Sequence, residues 1–87
     1  TSTYQDYISG IPTTIKADQA FTVQVSYGPP NGSAVIHDLW TKKSTTVPLN
    51  ASGNATQIVS LTGDTGTHEV DVTFSDGLVR VFAVQIT

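Results

Sequence analysis

Strict alternation with a period of two constrains this chain most. Phe21-Thr22-Val23-Gln24-Val25-Ser26-Tyr27 alternates apolar and polar residues without a fault, and Val70-Asp71-Val72-Thr73-Phe74 repeats the pattern with His68 in phase. Side chains on a strand point to opposite faces in turn, so each run is a strand with one face in a core and one in water. Gln57 to Leu61 places Val59 and Leu61 together. Leu78 to Ile86 is apolar on both parities, which predicts a central strand covered on both faces or partly packed against a neighbour. No segment carries the helical period, so no α-helix of three turns is expected.

Turn chemistry separates the runs. Gly28-Pro29-Pro30-Asn31-Gly32 cannot continue a strand, because the prolines lack N–H donors and Asn-Gly accepts positive φ. Residues 50–54, 63–66 and 75–77 are further turns. The spacing predicts about seven strands, at 12–16, 20–27, 34–41, 44–49, 55–61, 67–74 and 78–87, with 1–11 as a lead-in or first edge strand. Regular short strands of this kind give an immunoglobulin-like sandwich of two antiparallel sheets, a single all-β domain over 1–87.

At 87 residues the chain buries roughly 60–65% of the surface exposed on unfolding. That supports one thin core and leaves little volume for a deep active site, so no enzyme is expected. Seven acids stand against four bases, a net charge of −3. Only Lys42 and Lys43 are adjacent, which is no footprint for nucleic acid or an anionic membrane. There is no Cys, so neither disulfides nor thiolate metal sites arise. No apolar stretch reaches the roughly 20 residues of a membrane helix. The chain begins at Thr1 without a leader, the expectation for a mature form or an excised module. Fourteen Thr and eight Ser replace the missing charges, which suits strands and a secreted or cell-surface location.

Two stretches resemble known families. Ile11 to Val23 resembles the opening of many secreted immunoglobulin-like modules. Gly66-Thr67-His68-Glu69-Val70-Asp71-Val72 resembles the G-T-Y-x-V-x-V start of strand F in fibronectin-III-like sandwiches, with His68 where those families carry the tyrosine-corner Tyr. Val35-Ile36-His37-Asp38-Leu39, Thr46-Val47 and residues 51–56 look like small modules appended to secreted polysaccharide-degrading enzymes. That resemblance implies an accessory module that binds a polysaccharide or glycan and neighbours other domains of a larger chain.

Trp40, the only Trp, has three readings: a core residue of its strand, an exposed platform for the C–H face of a pyranose, or an interface with a domain or subunit. Tyr4 and Tyr7 either stack on a ligand or pin the N-terminal segment. Asp38, Gln24 and Glu69 are the candidate donors and acceptors for sugar hydroxyls. Every Asn lies in an N-x-[ST] pattern in a turn, at Asn31, Asn50 and Asn54, so each is a candidate glycosylation site. His37 and Asp38 are adjacent, so on a strand they point to opposite faces and cannot share a metal. His68 reads as a half-buried structural residue, and Glu69 with Asp71 as solubilising charge. No cofactor is implied. The alternative function is structural: a spacer, an adhesin segment or a self-associating unit pairing through an edge at 44–49, where Pro48 is the one obvious blocker.

Overall fold

The computed structural model describes residues 4–61 and 65–87; the first half of the expected turn at 63–66 lies outside them. It is an all-β sandwich, with no helix among the described residues. Its strands are β1 (Tyr7–Ser9), β2 (Thr14–Ile15), β3 (Ala20–Ser26), β4 (Ser33–Asp38), β5 (Lys43–Pro48), β6 (Ala55–Ser60), β7 (Gly66–Phe74) and β8 (Val79–Ile86). Sheet 1 has the order β1-β3-β6 and sheet 2 the order β2-β8-β7-β4-β5.

Every pairing is antiparallel except β2 with β8. The expectation of two purely antiparallel sheets is corrected by that one pair. Its cause is the lead-in, which starts on sheet 1 as β1 and crosses to sheet 2 as β2. Gly10 sits at the crossing with φ of 87°, and a Cβ there would lie 2.0 Å from the Thr22 carbonyl oxygen. The strand expected at 12–16 therefore shrinks to two residues, and the lead-in supplies the eighth strand.

Alternation builds the core as its period requires. Val23 and Val25 of β3 meet Ala34 and Ile36 of β4, Val70, Val72 and Phe74 of β7, and Val84 and Ile86 of β8. The last strand is covered on one face and not on both. Phe82, Val84 and Ile86 face inward, but Val79 and Val81 are exposed. Their apolar character suits the pleated surface and reports no second layer.

Loops gather at two poles. At the first, the β3–β4 and β5–β6 loops are laced together: Gly28 N–H donates to Gly53 O (3.0 Å), Asn31 N–H to Asn50 O (2.8 Å) and Leu49 N–H to Gly32 O (2.9 Å). The second pole carries the β4–β5 turn and the start of β7.

Candidate functional site

Asp38 is the last residue of β4, in the inward-facing phase set by Ala34 and Ile36. Its carboxylate is consumed locally. Oδ1 accepts Trp40 N–H (2.9 Å), Oδ2 accepts Thr41 Oγ1–H (3.1 Å), and its backbone oxygen accepts Lys42 N–H (2.7 Å). Lys42 takes φ of 62° to close the turn into β5. An aspartate bonding the next backbone N–H groups is a turn former, so the strand expected at 34–41 ends at Asp38. Trp40 consequently leaves the alternation and does not share a strand face with Ile36.

His68 occupies the matching position on β7, in phase with Val70 and Val72. It is fully buried, not half-buried, with Nδ1 3.9 Å from Asp38 Oδ1. The Trp40 indole lies over it, ring centroids 4.4 Å apart and planes 10° from parallel. The indole reaches across Gly66, where a Cβ would come 3.9 Å from Trp40 Cη2. Trp40 remains 49% exposed. One ring face is thus covered by His68, and the exposed area lies on the other side. Trp40 is neither the core Trp of a strand nor a freely rotating surface residue.

The other sequence candidates do not join it. Glu69 is exposed on the outer face of sheet 2, opposite in phase to His68, and only its backbone oxygen meets the turn, through Leu39 N–H (3.1 Å). The Asp38 carboxylate acts within the turn, on Trp40 N–H and Thr41 Oγ1–H. His37 and Asp38 diverge as strand geometry demands: His37 Nδ1 lies 2.6 Å from Ser44 Oγ on the outer face. Asp71 stands opposite His37 in register, yet no ion pair joins them among the described residues. Nor does any group of three His, Asp or Glu side chains gather as a metal site there.

Gln24 and Tyr7 lie on the outer face of sheet 1, towards the first pole. Tyr7 is opposite Ser26 in register. An open groove of about 500 Å³ runs beside them, lined by Gln24, Ser26, Asn50, Asn54 and Thr56, all uncharged. Tyr27 next to it holds φ of 59°, with N–H donated to Asn54 Oδ1 (3.3 Å) and its oxygen accepting Asp6 N–H (3.1 Å). The rings of Tyr4, Tyr7 and Tyr27 are all exposed. Arg80 holds the N-terminal segment, its Nε and Nη2 donating to Asp6 O (3.2 Å) and Gln5 O (2.8 Å). Sequence reasoning missed Tyr27, because the alternation around it reads as strand interior.

All three sequon asparagines are exposed and lie at the first pole. Asn50 Oδ1 accepts N–H groups of Ser52 (2.8 Å) and Asn54 (2.9 Å). Like Asn54 Oδ1 on Tyr27, this fixes the amide through its oxygen.

No family model matches the chain, and no curated relative does. Among solved structures it is similar to part of a carbohydrate acetylesterase from Xanthomonas citri. The TM-score is 0.61 at 16% identity, over 92% of this chain and 18% of the esterase. It is also similar to a superoxide reductase (neelaredoxin) from Ignicoccus hospitalis, with a TM-score of 0.50 at 21% identity, over 93% of this chain and 77% of the other. At these identities the likeness is one of fold alone.

Proposed function

We propose that this domain is a non-catalytic carbohydrate-binding module of a larger secreted or cell-surface protein. The observation that carries the reading is Trp40: a half-exposed indole held flat by a buried ring beneath it. A pyranose presents a face of C–H groups, which suits the electron-rich face of an aromatic ring. Fixing the indole beforehand removes rotamer entropy that binding would otherwise have to supply. A surface of this shallowness buries little area, so weak binding per site is expected. The fold's likeness to a small part of a carbohydrate acetylesterase supports an accessory place in a carbohydrate-acting chain.

The groove beside Gln24 and Tyr7 is the competing surface for the same ligand class. Its neutral amides and hydroxyls suit sugar hydroxyls. One experiment separates the two. Trp40 fluorescence is followed under acrylamide quenching, with a panel of soluble polysaccharides added in turn. Protection of Trp40 by one glycan, kept in Gln24→Ala, together with calorimetric binding of that glycan lost in Trp40→Ala, supports the Trp40 surface. Binding lost in Gln24→Ala and kept in Trp40→Ala moves the site to sheet 1. Indifference to every glycan by both fluorescence and calorimetry overturns the proposal.

A further inference from the structure

Among the described residues, β6 ends sheet 1 with an unpartnered hydrogen-bonding edge, and the backbone fixes which groups line it. The close approach of Gly10 to Thr22 O and Gln24 N puts the even-numbered residues of β3 on its β1 side. Phe21, Val23 and Val25 therefore turn their N–H and C=O groups towards β6, where they are opposite Val59, Gln57 and Ala55. Strand geometry leaves the N–H and C=O groups of Thr56, Ile58 and Ser60 pointing away from β3. Gln57 Nε2 donates to Ile58 O (3.0 Å), a side chain folded back over one of these edge carbonyls.

The other edges are blunted. β1 has three residues and β2 two, and β5 is bracketed by Lys43 and Pro48, which discourage pairing. The expected edge at 44–49 is thus the poorer one. β6 (Ala55–Ser60) has six residues, no charge and no proline, and Ile58 is 68% exposed.

We infer that β6 is a self-association edge: two copies of this chain pair antiparallel through it, about a two-fold axis at Ile58. That register sets Ile58 against Ile58 of the second copy and Thr56 against Ser60, each pair exchanging both backbone bonds. A second copy fits for two reasons on the strand itself. The two-fold places the most exposed aliphatic side chain against its own equivalent, at the cross-strand distance of about 4.5–5.5 Å. It also brings no like charges together, because the strand has none. With the remaining edges blunted, pairing stops at a closed dimer and does not grow into a filament. The ladder is only about 20 Å long, so the dimer is weak and concentration-dependent. The inference is independent of glycan binding.

Sedimentation velocity from micromolar to millimolar concentration tests it, alongside amide exchange. The average mass of the native chain rises towards the dimer, and the Thr56, Ile58 and Ser60 amides slow as it does. Ile58→Lys stays monomeric at every concentration with an unchanged circular dichroism spectrum. Ile58→Pro does the same, since its N–H is not used by β3. Gln57→Ala frees the edge carbonyl in both copies and dimerises about 5- to 150-fold more tightly, the equivalent of two net hydrogen bonds. A native chain that stays monomeric throughout overturns the inference. So does dimerisation undiminished in Ile58→Lys, or protection appearing on β5 amides instead.

Discussion

The Trp40 indole and the His68 imidazole lie 10° from parallel with 4.4 Å between centroids, one ring half in solvent and the other wholly buried. A stacked pair is worth about 0.5–1.5 kcal/mol beyond its buried area. Trp40→Ala is therefore expected to cost about 1–2 kcal/mol in urea unfolding, well below the 3–5 kcal/mol of a core Trp. A loss in that upper range would mean that the ring is chiefly a core element.

His68→Ala should cost more, about 2–4 kcal/mol, because the void opens under a ring that cannot collapse into it. It should also make Trp40 more readily quenched by acrylamide. His68→Phe keeps a flat support of similar size and should cost less than about 1.5 kcal/mol, with quenching unchanged. Equal quenching in both variants would show that His68 does not set the indole's orientation.

Asp38 holds the turn that expels Trp40 from β4, through Trp40 N–H and Thr41 Oγ1–H. Asp38→Ala removes both acceptors and is expected to cost about 2–4 kcal/mol, since hydrogen bonds to a charged group are worth roughly 1.5–3 kcal/mol each and do not add fully. Asp38→Asn keeps an oxygen for Trp40 N–H and should lose about half as much. Thermal unfolding of the two variants with Thr41→Val checks the ordering.

Gly53 and Gly77 both have positive φ, at 77° and 98°, yet only at Gly53 would a Cβ meet backbone, 2.0 Å from Gly28 O. Gly77→Ala bears conformational strain alone, about 1–2 kcal/mol. Gly53→Ala must in addition push apart the two loops laced at the first pole, and should exceed about 3 kcal/mol. Similar melting temperatures for the two variants would contradict the close approach.

Asn50 and Asn54 bind their own loops through Oδ1, and Asn31 is exposed beside them. Expression in a eukaryotic secretory host should yield glycosylated species whose intact mass falls on enzymatic removal of N-glycans. A glycan on Asn54 would occupy the groove beside Gln24 and leave the Trp40 surface open. An unshifted mass would leave these sequons as turn formers only.

Much of the fold is legible in the chain, because the physics is local. Alternation in Phe21–Tyr27 and Val70–Phe74 needs only period two and one apolar face, and the strands follow within a few residues. The candidate site is less legible. Trp40 reads as a strand residue because no Gly, Pro or Asn separates it from Val35, Ile36 and Leu39, and only Asp38 capturing its N–H shows the strand ending earlier. Gln24 and Tyr7 lie seventeen positions apart in the chain, and the β1–β3 ladder brings them to one face. Val79 and Val81 read as buried because apolar character records strand preference as well as burial.

The sequence by itself determined an all-β sandwich, the inward-facing valines of β3 and β7, the turns and the lack of charge. Each follows from side-chain period, proline and glycine stereochemistry, or composition. Tertiary structure alone decided three things: that Trp40 lies on His68, that the three sequons share one pole, and that β6 is the open edge. Those depend on which strands pair and in what register, and pairing is fixed by long-range closure of the core rather than by any residue's neighbours in the chain.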